Sequence, residues 1–90
     1  MDKKNAFEIL KYEGYKNIVL IEKEVNYFLD KHSHDFSVDI IIIIGSFEIS
    51  LSNTNVILFP GSRLKLNKGE LHSEKEGSEG VSFLSARPLA

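Results

Sequence analysis

The sequence predicts an all-β fold, an antiparallel sandwich or barrel with one short helix ahead of it, and three observations carry that prediction. From Asn17 onward the chain is rich in β-branched and aromatic residues, and no helical period returns. Turn-forming residues recur at short intervals, which implies roughly seven to nine short strands. All of the histidines, His32, His34 and His72, are spaced so that only a sheet curled on itself brings them to one place.

Taken in order, Asn5 reads as a helix N-cap with Glu8 three residues on, opening a helix over residues 6–13 that Gly14 stops. Residues 18–21 and 25–29 read as strands. The five isoleucines at 40–44 are β-branched throughout, the mark of a strand covered on both faces. The predicted helix is too short to cover much of the outer face, so a two-fold homodimer is expected, packed through the outer face of the strand at 40–44 or through the N-terminal segment up to residue 19. Beyond Gly45, Phe47, Ile49 and Leu51 share one face, and Ser46, Glu48, Ser50 and Ser52 the other. Residues 53–55 turn, 56–59 form a strand, and Pro60-Gly61-Ser62 turns again. Residues 63–66 alternate as a half-exposed strand, Lys68-Gly69 turns, and residues 71–74 follow. Residues 77–80 read as a flexible tip and 81–85 as the closing strand, before Arg87-Pro88. Ninety residues suit one domain, with a helix and arm over 1–16 and the barrel over 17–86.

The formal charge is −2, with both signs interleaved, so no basic stripe invites nucleic acid. The absence of cysteine removes disulfides, thiolate zinc sites and a cysteine nucleophile, leaving histidine and carboxylate as the strong metal ligands. No apolar leader follows Met1, and the run at 40–44 is far shorter than a membrane span. The expectation is a soluble cytoplasmic protein with neither nucleic acid nor membrane as partner.

His32 and His34, at i and i+2, project from one face of a strand, and neutral imidazole is the commonest metal ligand. Two carboxylates compete to join them. Asp39 points inward with Ile41, Ile43, Phe47, Ile49 and Leu51 if the strand runs unbroken, whereas a bulge at Gly45 reverses it. Glu74 lies two residues past His72, on the same face if that strand continues. Otherwise Asp39 is a solvent-facing turn-end residue, and Glu74 joins the solvated Glu70, Glu76 and Glu79. The remaining inner-face candidates are aliphatic, Leu64 and Leu66 among them, with Tyr27, Phe28 and Phe36 near the mouth.

From about residue 27 to residue 84 the chain resembles small single-domain cupins. Their first motif appears as His32-Ser33-His34 running to Gly45, and the second as Pro60-Gly61 followed by Asn67-Lys68-Gly69-Glu70-Leu71-His72. The resemblance implies an antiparallel double-stranded β-helix, the jelly-roll barrel, frequent dimers, and a divalent Mn, Fe, Ni, Zn or Cu ion held by three histidines and a carboxylate. The chain departs from the pattern at Val38, where the motif places its glutamate, at Asn67 in place of a proline, and at Ser62 in place of an acid. The implied function is a metal-binding cupin acting on a small organic molecule. A second reading is a metal-free sensor, because residues 32–36 are also similar to the opening strand of the sugar-binding half of arabinose-type regulators, whose helix-turn-helix portion this chain lacks. A third is a barrel that serves only as an interaction module.

Overall fold

The computed structural model describes residues 1–24 and 28–88, and of residues 76–78 only the backbone. Of the strand expected at 25–29, residues 25–27, with Tyr27 at the mouth, lie outside the described residues. Helix α1 spans Lys3–Tyr12, and its N-cap is Asp2, whose side chain accepts from the Lys4 amide at 3.1 Å. The helix thus starts before the Asn5 cap read from the sequence. An aspartate is as good a cap as an asparagine, and the earlier start sets Ala6 and Leu10, one turn apart, against the sheet with no exposed surface. Gly14, at φ +101°, follows the helix in the left-handed conformation expected of it.

Six strands follow: β1 (Asn17–Lys23), β2 (Phe28–His32), β3 (Val38–Ser50), β4 (Asn55–Leu58), β5 (Arg63–Leu66) and β6 (His72–Arg87). They form one curled antiparallel sheet centred on the β3·β6 pair. The outer edge of β6 carries β1 along one half and β2 along the other, while that of β3 carries β5 and then β4. The described strands are fewer than the sequence suggests because β3 and β6 each run through their glycines. Residues 77–80 are strand, not a flexible tip.

Those glycines decide which way the side chains face. The β3·β6 register shifts between Ile42 and Ile44 and again between Gly45 and Phe47. A Cβ on Gly45, at φ +82°, would stand 2.1 Å from the Gly80 carbonyl oxygen, so only glycine permits this crossing. Across the irregularity the alternation reverses. Phe47 and Ile49 face the interior as expected, but so do Val38, Ile40 and Ile42, while Ile41 and Ile43 face outward. There Ala6 and Leu10 of α1 cover them together with Leu84 and Ala86. The single helix therefore shields the isoleucine strand better than its length suggested, and of the five isoleucines only Ile44 is exposed. Among the described residues no helix is long and apolar enough to cross a membrane.

Candidate metal centre

The β2·β6 register sets His32 directly opposite His72. Glu74 lies two residues further along β6 on the same face, and His34 two residues beyond His32, where the chain leaves β2. The His34 carbonyl accepts from the Gly69 amide at 2.9 Å, tying the loop after β2 to the turn before His72. The imidazole centroids of His32 and His72 stand 4.1 Å apart, and His34 lies 5.2 Å and 5.3 Å from them. One ligand atom from each of His32, His34, His72 and Glu74 falls within 4.8 Å of all the others. Donors on one ion at about 2.1 Å each lie no more than about twice that apart, so sub-ångström shifts close the shell. His72 is buried, and His32, His34 and Glu74 are half-buried.

The hydrogen bonds show why this cluster suits a cation. His32 Nδ1 lies 2.8 Å from the Asp30 carbonyl, and His72 Nδ1 lies 3.0 Å from that of Glu70. A carbonyl only accepts, so each Nδ1 carries a proton, and in the neutral form of each ring the lone pair of Nε2 turns inward. Both Nε2 atoms meet one carboxylate oxygen, Glu74 Oε2, at 3.0 Å and 3.1 Å. Three acceptors then converge with no donor between them, and either a metal ion or added protons must hold them together. Burial, followed by repulsion from His72 and His32, pushes the His34 imidazole below its ordinary pKa, which keeps a third lone pair available.

Asp39 is not part of the cluster. The register shift turns it outward, where it accepts from Tyr15 Oη at 3.1 Å and from Arg63 Nη2 at 2.8 Å, and Arg63 also forks onto Glu13. Burial and the bond to Asp39 raise the Tyr15 pKa, and the two carboxylates raise that of Arg63. The network fastens the end of α1 to β3 and β5. Nothing in the local sequence pairs these residues, because their contact depends on the bulge.

Beside the cluster lies a cavity of about 170 Å³, lined by His32, His34 and Glu74 and by Ile40, Phe47 and Phe83 among other apolar residues. Lys23, Ser85 and Arg87 also line it. Sequence reasoning missed these three, although Phe83, Ser85 and Arg87 alternate along β6 and face inward once its pairing with β1 is known. Of the expected lining, Ile49 and Leu66 are present, Leu51, Leu64 and Phe36 pack partly buried against the inner core, and Phe28 is exposed. A larger hollow of about 600 Å³ near Asn17, Asp35 and Lys68 contains none of the clustered residues.

No protein-family model matches the chain, and neither does any curated protein. Solved structures do. A cupin-2 domain protein of Shewanella frigidimarina superposes with a TM-score of 0.68 at 22% identity, over 80% of this chain and 69% of that one. The chain has a cupin fold. A cupin superfamily protein of Desulfitobacterium hafniense matches this barrel with a TM-score of 0.70 at 15% identity, over 81% of this chain and 66% of its own. Oxalate decarboxylase of Bacillus subtilis, studied for its Mn(II) centres, matches at 0.70 and 19% identity, over 78% of this chain. The match spans 20% of that enzyme's length, so the cupin barrel described here corresponds to about a fifth of it.

Proposed function

We propose that this cupin barrel is a cytoplasmic protein that binds one divalent transition metal ion through His32, His34, His72 and Glu74, and acts on a small organic molecule in the adjoining cavity. The observation that carries the reading is the single Glu74 oxygen held between two imidazole nitrogens whose protons are committed elsewhere. Histidine with carboxylate suits Mn, Fe, Ni, Zn or Cu, and a structural neighbour has Mn(II) centres. Such an ion, when bound, polarises a substrate oxygen or activates water. The chain's own part is to hold the donors still. The carbonyls of Asp30 and Glu70 fix two ring orientations, the Gly69 amide anchors the loop that carries His34, and the apolar wall keeps water away. With Val38 at the position where the motif has its acid, Glu74 supplies the carboxylate from the other half of the barrel.

The test is metal content on protein purified without a histidine tag. Close to one ion per chain is expected, and most of it should be lost in His32→Ala, His34→Ala and His72→Ala variants that remain folded. Full retention in any of the three, or no metal in the native chain, refutes this shell; the latter leaves a metal-free binding module.

A further inference from the structure

We infer that Phe36 is the positioning residue for His34, aiming its imidazole at the cluster by a ring stack where the other two histidines use a hydrogen bond. The inference rests on the metal-site reading for what His34 does there, but the contact between the two rings stands apart from it. The three histidines are held in different ways. His32 and His72 lie on strands, and each ties Nδ1 to a backbone carbonyl, at 2.8 Å and 3.0 Å. His34 lies past the end of β2, and its ring makes no hydrogen bond among the described residues. Its main chain is anchored, since its carbonyl accepts from the Gly69 amide at 2.9 Å. Rotation about χ1 and χ2 is then what aims the ring.

Contact with other rings supplies that aim. Phe36 follows His34 by two residues, and its ring stacks on the imidazole at 5.5 Å and 27°, whereas His32 and His72 meet it at 82° and 41°. Of these neighbours only Phe36 has no donor role in the cluster, so only it can hold the His34 ring independently of an ion. Phe36 is itself well placed, packing partly buried against the inner core with the Arg87 guanidinium 5.4 Å from its ring. A partner behind a metal-binding histidine is normally a hydrogen-bond acceptor. A stacked ring orients the imidazole plane in the same sense, through dispersion and quadrupole attraction, and leaves both ring nitrogens free.

Zinc titration of the full chain against a chromophoric chelator compares the native protein with Phe36→Leu, which keeps an apolar side chain on the core but removes the ring, and with Phe36→Tyr, which keeps the ring. Phe36→Leu should bind zinc about threefold to tenfold more weakly, the worth of an aromatic pair, and Phe36→Tyr should stay within about twofold of the native chain. In a His34→Ala background, Phe36→Leu should change affinity by less than about twofold, because the contact it removes is already gone. Loss by the same factor in both backgrounds marks a general loosening of the barrel and overturns the inference, as does an unchanged affinity in Phe36→Leu or an equal loss in Phe36→Tyr.

The ring contact is read separately by proton NMR of the metal-free chain at about pH 8, where imidazole is neutral. The carbon-bound ring protons of His34 should lie upfield in the ring current of Phe36, and Phe36→Leu should move them downfield by more than those of His32 and His72. His34 signals that do not respond to Phe36→Leu overturn the inference. Should Phe36→Leu not fold, the position of the His34 signals in the native chain decides alone. A native chain that binds no zinc ends the metal reading, and the NMR comparison then decides the positioning of His34 by itself.

Discussion

Glu74 Oε2 lies 3.0 Å from Nε2 of His32, across two antiparallel strands and 42 residues of chain. Asp39, the other carboxylate the sequence offers, is held by Tyr15 and Arg63 on the outer face. The two should therefore respond differently when neutralised. Glu74→Gln should weaken metal binding by about tenfold or more. Asp39→Asn should leave metal affinity alone and lower stability by about 1–3 kcal/mol, since two donors lose a charged acceptor. Metal titration and urea unfolding of both variants check this, and a large loss of metal affinity in Asp39→Asn would return that residue to the shell.

The His34 imidazole sits below its ordinary value of 6.5 in the folded chain. The unfolded chain thus binds more protons in the window just below that value, and stability of the metal-free protein rises with pH there. The contribution is complete above the unfolded pKa and is lost as pH falls through the folded one. Unfolding in the presence of chelator, from about pH 8 to about pH 5, should show the decline, and His34→Gln should flatten it. An unchanged slope in that variant would assign the pH dependence to another group.

Gly45 and Gly14 both have positive φ, but only Gly45 has backbone where a Cβ would go. Gly14→Ala should cost about 1–2 kcal/mol, the price of the left-handed conformation alone. Gly45→Ala adds a clash with the Gly80 carbonyl and should cost clearly more, with the register between β3 and β6 disturbed. Equal urea midpoints for the two variants would remove the close crossing as a constraint.

Two-fold association through the isoleucine strand remains a proposal, but with different contact residues. Ile41 and Ile43 are buried under α1, whereas Ile44, Ile57 and Phe59 are exposed. Sedimentation at micromolar concentration should give twice the mass of one chain, and Ile44→Glu should return it to one. Ile41→Glu should instead lower stability by placing a charge against Ala6 and Leu10. A single-chain mass for the native protein refutes the dimer.

Much of this could be read from residue order, for local reasons. Branched and aromatic runs broken by turn residues gave the all-β class, and the two motifs with their internal spacing gave the barrel and its three histidines. Glu74 was in view because strand alternation over two residues is reliable. Asp39 was equally in view and proved to face the other way, since its direction depended on whether alternation survives Gly45. The sequence marks Gly45 as a place where a bulge is permitted, but whether one forms depends on Gly80, far along the chain, coming close enough to exclude any side chain.

The sequence by itself determined the type of structure, the histidine donors and the two possible carboxylates, because period, turn chemistry and ligand chemistry are properties of neighbours in the chain. Only the tertiary structure decided which carboxylate joins the histidines, that α1 covers Ile41 and Ile43, and that Arg87 borders the site while Arg63 does not. Each of those outcomes follows from the register of β3 against β6. A one-residue shift in pairing exchanges the two faces of a strand, and the contacts that fix that register join residues remote in sequence.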